Sequence, residues 1–570
     1  MVNMPIVKIN ALCFRGPSKR DEDFLGVSLL TSMLNNDAGT GLLDKLTVDH
    51  KVMMAQAMPD LSFKNAGSIT VLFVPKVIVQ SNKKATKLVL KAFERLKEGD
   101  FSDELDWNDV LQQPAKLDEL TKEDIVALAR KYFGDDYVFV KKMKGTAVRD
   151  NLAKPDYEKV VPKNKEASSA YAKALLASAE GIKVVPKAID YENAAEITRI
   201  SDGVKLYSVG NPYNDVFNFT MTFETGTNEI PALDRVATYV NLLGTGDKSF
   251  DELHSELQTM GSSIAFSAGA NSFDVILSGF DSHLDETLAI TADLLKNIKG
   301  DKKKVANCKS DEKSGIIMNR SDMDALSEAL MEKAYYGDNS IYTADKGEWS
   351  DEALLGLFRD IQKKECDMTY SGTIDAGTVA SYIRKHFDVD ACVEASNIPV
   401  DFTPVHYDSP QVFFVDKKDA AQAGFRRPTK KSMETVPAAF LTYVGTQADK
   451  TVEAMEIVDS LVSSTPFLAA KIDMVRKEML NNQCNQYPSF RSIADVVAHD
   501  KRCGYEVDPV DVFMQVIDEA DPASMEAIWK KYVEGRDHIW CIVGNSSKLD
   551  MDAISKFGPV TTLKAADIIK

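Results

Sequence analysis

The spacing of apolar and polar positions along this chain writes out one unit three times. Each copy closes on an amphipathic helix, then a strand, then a small polar turn. The first closing is LTKEDIVALARKYFGDDYVFVKKMKGT (Leu120 to Thr146), the second DEALLGLFRDIQKKECDMTYSGTID (Asp351 to Asp375) and the third SMEAIWKKYVEGRDHIWCIVGNSS (Ser524 to Ser547). In each helix apolar residues return every three or four positions, which marks one buried face, and the strand that follows is a short apolar run. Repeats this long are duplicated domains, because solenoid repeats run only about 20–50 residues.

The pattern ahead of these closings divides the chain. Unit A, residues 1–148, opens on a strand in which Ile6, Lys8 and Asn10 alternate with Val7, Ile9 and Ala11. A helix follows with Asp21 as N-cap and a stripe of Phe24, Val27, Leu30 and Leu34. Two strands, KVMMAQAMPD and GSITVLFVPKV, lead to a helix with Ala85, Leu88, Ala92, Phe93 and Leu96 on one face. Residues 149–195 are rich in Lys, Pro and Ala and read as an exposed linker between two bodies. Unit B, residues 196–395, starts at the strand VFNFTMTFETG, and unit C, residues 396–570, at QVFFVD. The predicted fold class is α+β: three homologous domains, each a mostly antiparallel sheet covered by helices on one face.

The units calibrate one another. From middle helix to closing strand, units B (283–369) and C (449–539) match, whereas unit A (83–137) is much shorter. From first strand to middle helix, unit C (411–449) is short against unit B (216–283). The expectation is a shortened domain A with its join near Leu105, and a shortened domain C with its join near Gln422–Gly424.

Composition changes this picture little. A net charge of −18 argues against a nucleic-acid partner, which needs a basic face. Seven scattered cysteines with no C-x-x-C read as free, mostly buried thiols. No apolar run is long enough to span a membrane. The start lacks the basic and small-residue pattern of a signal peptide, and opening on a strand suggests that something precedes it.

Chemistry is scarce. No two of the seven histidines (His50, His254, His283, His386, His406, His499, His538) stand at i,i+3 or i,i+4, the spacing of paired helical ligands. Each reads as a surface or capping residue. GTGDKS at Gly244–Ser249 fails as a phosphate loop and reads as a helix cap before SFDEL. SDMDAL at Ser321–Leu326 lacks the glycine and final glutamate of a calcium loop and reads as a solvated helix start.

The stretch LLGTGDKSFDELHSELQTMGSSIAFSAGANSFDVILSGF of unit B, the linker's VVPKAIDY (Val184–Tyr191) and the ending IVGNSSKLDMDAISKFGPV (Ile542–Val560) resemble the insulinase/pitrilysin family of zinc metallopeptidases, in its long bacterial four-domain form. The resemblance implies four α+β domains that close as a clamshell on a peptide, of which this chain supplies domains two, three and four. The family's first domain carries H-x-x-E-H, two zinc ligands and a general base. The matching positions in unit B fall on Arg235, Thr238 and Tyr239, and unit A's helix offers only Phe24–Leu34. The family's carbonyl-holding Arg and Tyr would lie just before Ala423–Gly424, in the shortened stretch. No catalytic or metal residue carries over, and no binding residue is assigned. Zinc is expected only with a first domain or a partner chain.

The implied function is the substrate-binding chamber of a zinc peptidase acting on a peptide or small protein, inactive alone. The alternative is a zinc-less homologue that serves as a binding or scaffold subunit beside a catalytic partner. The resemblance leaves the compartment open: periplasm or cell envelope with an upstream signal peptide, cytoplasm without one.

Overall fold

The computed structural model describes residues 8–36, 39–76, 80–101, 120–142, 167–179, 185–395, 404–418, 420, 422–428, 440–465, 467–535 and 538–570. Among them lie three helix-covered sheets, of four, six and five strands.

Unit A holds β1 (Asn10–Gly16), α1 (Phe24–Leu34), α2 (Asp44–Val48), β2 (Met54–Asp60), β3 (Gly67–Val74), α3 (Asn82–Glu98), α4 (Lys122–Tyr132) and β4 (Val138–Lys141). Its sheet order is β2-β3-β1-β4, antiparallel throughout. The predicted face of α3 is the buried one: Ala85, Ala92, Phe93 and Leu96 are in the core, joined by Val89. Phe14, Phe93 and Phe133 lock sheet to helices, with Phe93 stacked on Phe133 at 4.6 Å and Phe14 edge-on to both. The join expected near Leu105 lies outside the described residues.

After α5 (Ala170–Ala179), unit B runs β5 (Glu196–Arg199), β6 (Val204–Gly210), β7 (Val216–Phe223), α6 (Leu233–Val240), α7 (Phe250–Thr259), β8 (Ser263–Ala268), β9 (Phe273–Phe280), α8 (Leu284–Asn297), α9 (Lys302–Asn319), α10 (Met323–Tyr336), α11 (Asp351–Ile361), β10 (Cys366–Gly372) and α12 (Ala376–His386). The GTGDKS segment does end in a cap: Ser249 and Glu252 form a reciprocal capping box on α7. Asp322 likewise caps α10. The sheet order β5-β6-β10-β7-β9-β8 contains unit A's order β4-β1-β3-β2 as β10-β7-β9-β8. Two strands ahead of β7 escape the periodicity: β5 is only four residues long, and β6 gains its place by pairing parallel to β10.

Unit C comprises β11 (Gln411–Asp416), β12 (Gln422–Pro428), β13 (Leu441–Gln447), α13 (Thr451–Ser463), α14 (Ala469–Cys484), α15 (Phe490–Arg502), α16 (Pro509–Ile517), α17 (Pro522–Tyr532), β14 (Ile539–Gly544) and β15 (Val560–Leu563). Its order is β13-β12-β14-β11-β15. β11 runs parallel to the closing strand β14, as β6 does to β10, so β11 is the counterpart of β6 and not of β7. β12, antiparallel to β14, is the counterpart of β7, and β13 that of β9. The join expected at Gln422–Gly424 therefore falls inside a strand, where Ala423 and Phe425 are buried and both flanks are paired. The shortening lies after it, between β12 and β13: residues 429–440 separate these strands, whereas α6, α7 and β8 separate β7 from β9.

Units B and C each lend the other a helix. Besides its own helices, unit C's sheet is covered by α10 of unit B, whose Leu326, Ala329, Leu330 and Ala334 pack on Val415, Ile539, Cys541 and Val543. Unit B's sheet is covered in turn by α15 of unit C, where Ala494, Val497 and Ala498 meet Tyr207, Ile189 and Tyr191. Polar ties flank that contact: Arg502 to Asp367 at 3.0 Å, Arg491 to Asn218 at 3.1 Å, and Asp495 to Thr369. The linker's last residues are part of this core, not an exposed strap. Ile189 and Tyr191 are buried, the Asp508 carboxylate accepts the Ile189 N–H at 2.6 Å, and the Tyr191 hydroxyl donates to Asp500.

Candidate functional site

The positions at which the resemblance would place zinc chemistry lie on α6, with a cleft of about 1010 Å³ alongside. Asp234, Glu312, Lys346, Thr227, Asn228 and Tyr342 are among its walls. α6 is short and strongly amphipathic, with Leu233, Val236, Ala237, Tyr239 and Val240 buried. Successive helical positions point about 100° apart. Positions 235, 238 and 239 accordingly meet different surroundings.

Arg235 turns toward α9. Its Nε and Nη2 donate to the two carboxylate oxygens of Glu312 at 2.8 and 2.9 Å, a fork-to-fork pair. Its Nη1 donates to the carbonyls of Lys346 and Gly347, and its guanidinium lies over the Trp349 ring at 5.2 Å. Trp349 Nε1 donates to the same carboxylate at 2.6 Å. Burial alone would raise the Glu312 pKa, but the hydrogen bonds from Arg235 and Trp349 outweigh it and hold the carboxyl below its usual range. All three guanidinium nitrogens are engaged with protein.

Thr238 faces outward, and its hydroxyl donates only to the Asp234 carbonyl one turn back, at 2.8 Å. Tyr239 faces inward and is fully buried; its hydroxyl donates to the Asp351 carboxylate and accepts the Asp301 N–H at 2.7 Å. Burial first, and then the Asp351 carboxylate, push its pKa far up. The structure thus separates the three positions. Two anchor α6 to α9 and to the start of α11, and the third is solvent-facing. Glu312, Trp349 and Asp351 were not singled out in the sequence, because they arrive from residues far along the chain and no local motif marks them. In unit A the matching helix α1 is apolar, with Val27, Leu29, Leu30, Met33 and Leu34 buried.

Among the described residues, no three His, Cys, Asp or Glu side chains gather to hold a metal ion. The histidines are not all surface residues. His254 is buried on α7 against Phe250, with ring centroids 4.1 Å apart. His50 is buried between units A and B, its Nε2 2.9 Å from the Asn307 carbonyl and 2.9 Å from Asp311. Ahead of Ala423 the chain reads QVFFVDKKDAAQ and contains neither the Arg nor the Tyr that the resemblance would put there.

No protein-family model and no curated protein matches the sequence. Solved structures do match the fold. The inactive domain of a peptidase M16 from Pseudomonas fluorescens superimposes with a TM-score of 0.51 at 11% identity, covering 62% of this chain and 98% of that one. The fold is that of the M16 peptidases. The periplasmic protease PqqL from Escherichia coli (TM-score 0.50, 10% identity) and the ferredoxin protease FusC in complex with Arabidopsis ferredoxin (TM-score 0.53, 12% identity) each cover 95% of this chain, which covers 72% of each of them. The M16 likeness is one of architecture, and at these identities it transfers no residue role. No helix among the described residues is long and apolar enough to cross a membrane.

Proposed function

We propose that this chain is a non-catalytic, substrate-holding part of an M16-type peptidase, acting beside a zinc-bearing domain or partner chain. The observation that carries this reading is the Arg235–Glu312–Trp349 clamp. In the register that the resemblance implies, it sets a guanidinium, with its carboxylate partner, where the family's active helix would offer its first imidazole. A guanidinium stays protonated at any ordinary pH and cannot be a zinc ligand. The substrate would be a peptide or small protein held against the chamber wall, in keeping with a protease of this fold having been captured with ferredoxin.

The test is elemental analysis and peptidase assay of the purified chain. We expect no stoichiometric zinc, no peptide cleavage, and no effect of a chelator on stability. One tight zinc per chain, removed by chelator together with peptidase activity, would show the reading to be wrong.

A further inference from the structure

Unit C has an apolar groove that unit B's own architecture explains. In unit B, α6 is seated against α9, α11 and β8. By order along the chain, α14 and α17 are the unit C counterparts of α9 and α11. Between β12 and β13 the chain has only residues 429–440, against residues 224–272 between β7 and β9. In unit C, α14, α16 and α17 enclose a groove of about 390 Å³ walled by Leu468, Ile472, Val475, Met479, Phe513 and Val516. Leu468, Val475, Met479 and Val516 remain 56%, 46%, 44% and 56% exposed. Phe467 at the groove packs on Trp529, and Trp529 on Phe440 just ahead of β13, the counterpart of β9; β13 is the edge strand of its sheet among the described residues, whereas β9 is paired with β8. A contiguous apolar groove next to an open strand edge is a docking surface.

We propose that this groove takes a helix–strand segment of a partner polypeptide. An amphipathic helix would lie between α14 and α17, and the strand after it would add antiparallel to β13. The occupant's chemistry follows from the repeat. In unit B the seated helix presents Leu233, Val236, Ala237 and Val240 to its neighbours, and Asp234 to the Lys346 ammonium at 2.5 Å. The groove in unit C is edged by Lys471, and by Arg476 paired with Asp473 on the same helix, so the incoming helix should carry a carboxylate toward Lys471 beside its apolar stripe. The same basic edge on both copies disfavours self-pairing through this surface. The inference rests on the repeat between units B and C and is independent of the peptidase reading.

The probe is a fluorescein-labelled peptide of residues 231–268, the chain's own α6–β8 segment, which is acidic and has the required order of elements. Titrated with the full-length chain, it should give a saturable anisotropy rise that a scrambled peptide does not give. Val475→Asp and Met479→Asp place a charge in the groove at exposed positions and should each weaken binding about tenfold or more. Thermal unfolding and circular dichroism of both variants should match the parent. Absence of saturable binding, equal binding of the scrambled peptide, or indifference to both substitutions overturns the proposal. So does sedimentation showing that the chain alone forms a dimer that Val475→Asp dissolves, because the occupant would then be a second copy.

Discussion

At the scale of single residues, the buried polar groups carry the informative departures from sequence expectation. His254 is only 8% exposed, and burial, with Lys304 adding to it and Asp251 opposing, pushes its imidazole pKa down from 6.5 to about 4. Above pH 6.5 neither folded nor unfolded chain holds a proton there. Between 6.5 and 4 only the unfolded chain takes one up, so stability falls as the pH drops through that window. The loss should be about 2 kcal/mol by pH 5. It should be absent in His254→Gln when the denaturant midpoints of unit B's transition are compared at pH 7.5 and 5. A parent and variant with the same pH dependence would mean that His254 is wetter than its packing shows. The clamp makes a second prediction. Glu312→Gln leaves Arg235 without a counter-charge in a half-buried site and should cost about 2 kcal/mol in urea unfolding. Neither group was legible beforehand. One-letter spacing shows which residues lie on one helix face, but burial of His254 and pairing of Glu312 depend on elements that meet only in the fold.

At the scale of elements, far more was readable. The three closing helix–strand pairs all formed, because each combines a capping residue, a 3.6-residue apolar stripe and a short apolar strand, and these local preferences agree. The thiols were readable too: Cys308, Cys366, Cys392 and Cys541 are buried and unbridged. What failed was pairing. β11 looked like the start of a unit by its position, yet parallel pairing with β14 makes it the counterpart of β6, and the direction of pairing is invisible in period-two alternation. Another repeated device was also hidden. Asn35 and Asn241 each cap the C-terminus of the first long helix of their unit and reach the edge strand beyond it. Asn241 Nδ2 donates to the Phe266 carbonyl at 2.7 Å, and its Oδ1 accepts the Phe266 N–H at 2.9 Å. Asn35 does the same across Ala55 and Ala57 of β2, at 3.0 and 2.7 Å. A side-chain amide thus stands in for a neighbouring strand and blunts the edge against adventitious pairing. Asn241→Ala removes both bonds and should cost about 2 kcal/mol, at roughly 1 kcal/mol for each. Hydrogen exchange should speed up at Ser263–Ala268 and leave β7 and β10 unchanged. Uniform acceleration across the sheet would mean that the clamp does not act on the edge strand alone.

At the scale of the whole molecule, the exchange of α10 and α15 ties units B and C into one body, while unit A meets unit B through a few polar contacts. Thr40 donates to Gln258 at 2.8 Å, and His50 lies against Asn307 and Asp311. The asymmetry is one of burial: two helix faces and the chain's C-terminal residues Ile568 and Ile569 are covered between B and C. Separating those units would expose both apolar faces at once, at about 25 cal/mol for each Å² uncovered. The stretch between A and B offers protease a clear target. α5 has no buried residue among those described, with Tyr171 77% and Leu175 56% exposed, and the next described residues include buried Pro186 and Ile189. A protease must thread an unfolded segment, and an exposed helix of ten residues is marginal in water and opens readily. Limited trypsin digestion should therefore cut at Lys173 ahead of Lys187, because Lys187 lies two residues from the Ile189–Asp508 hydrogen bond and over the Tyr487 ring. Unit A should be released, and the B–C body should elute intact as one species. Early cutting between residues 395 and 411, with units B and C then separating on a sizing column, would show that the exchanged helices do not hold them together.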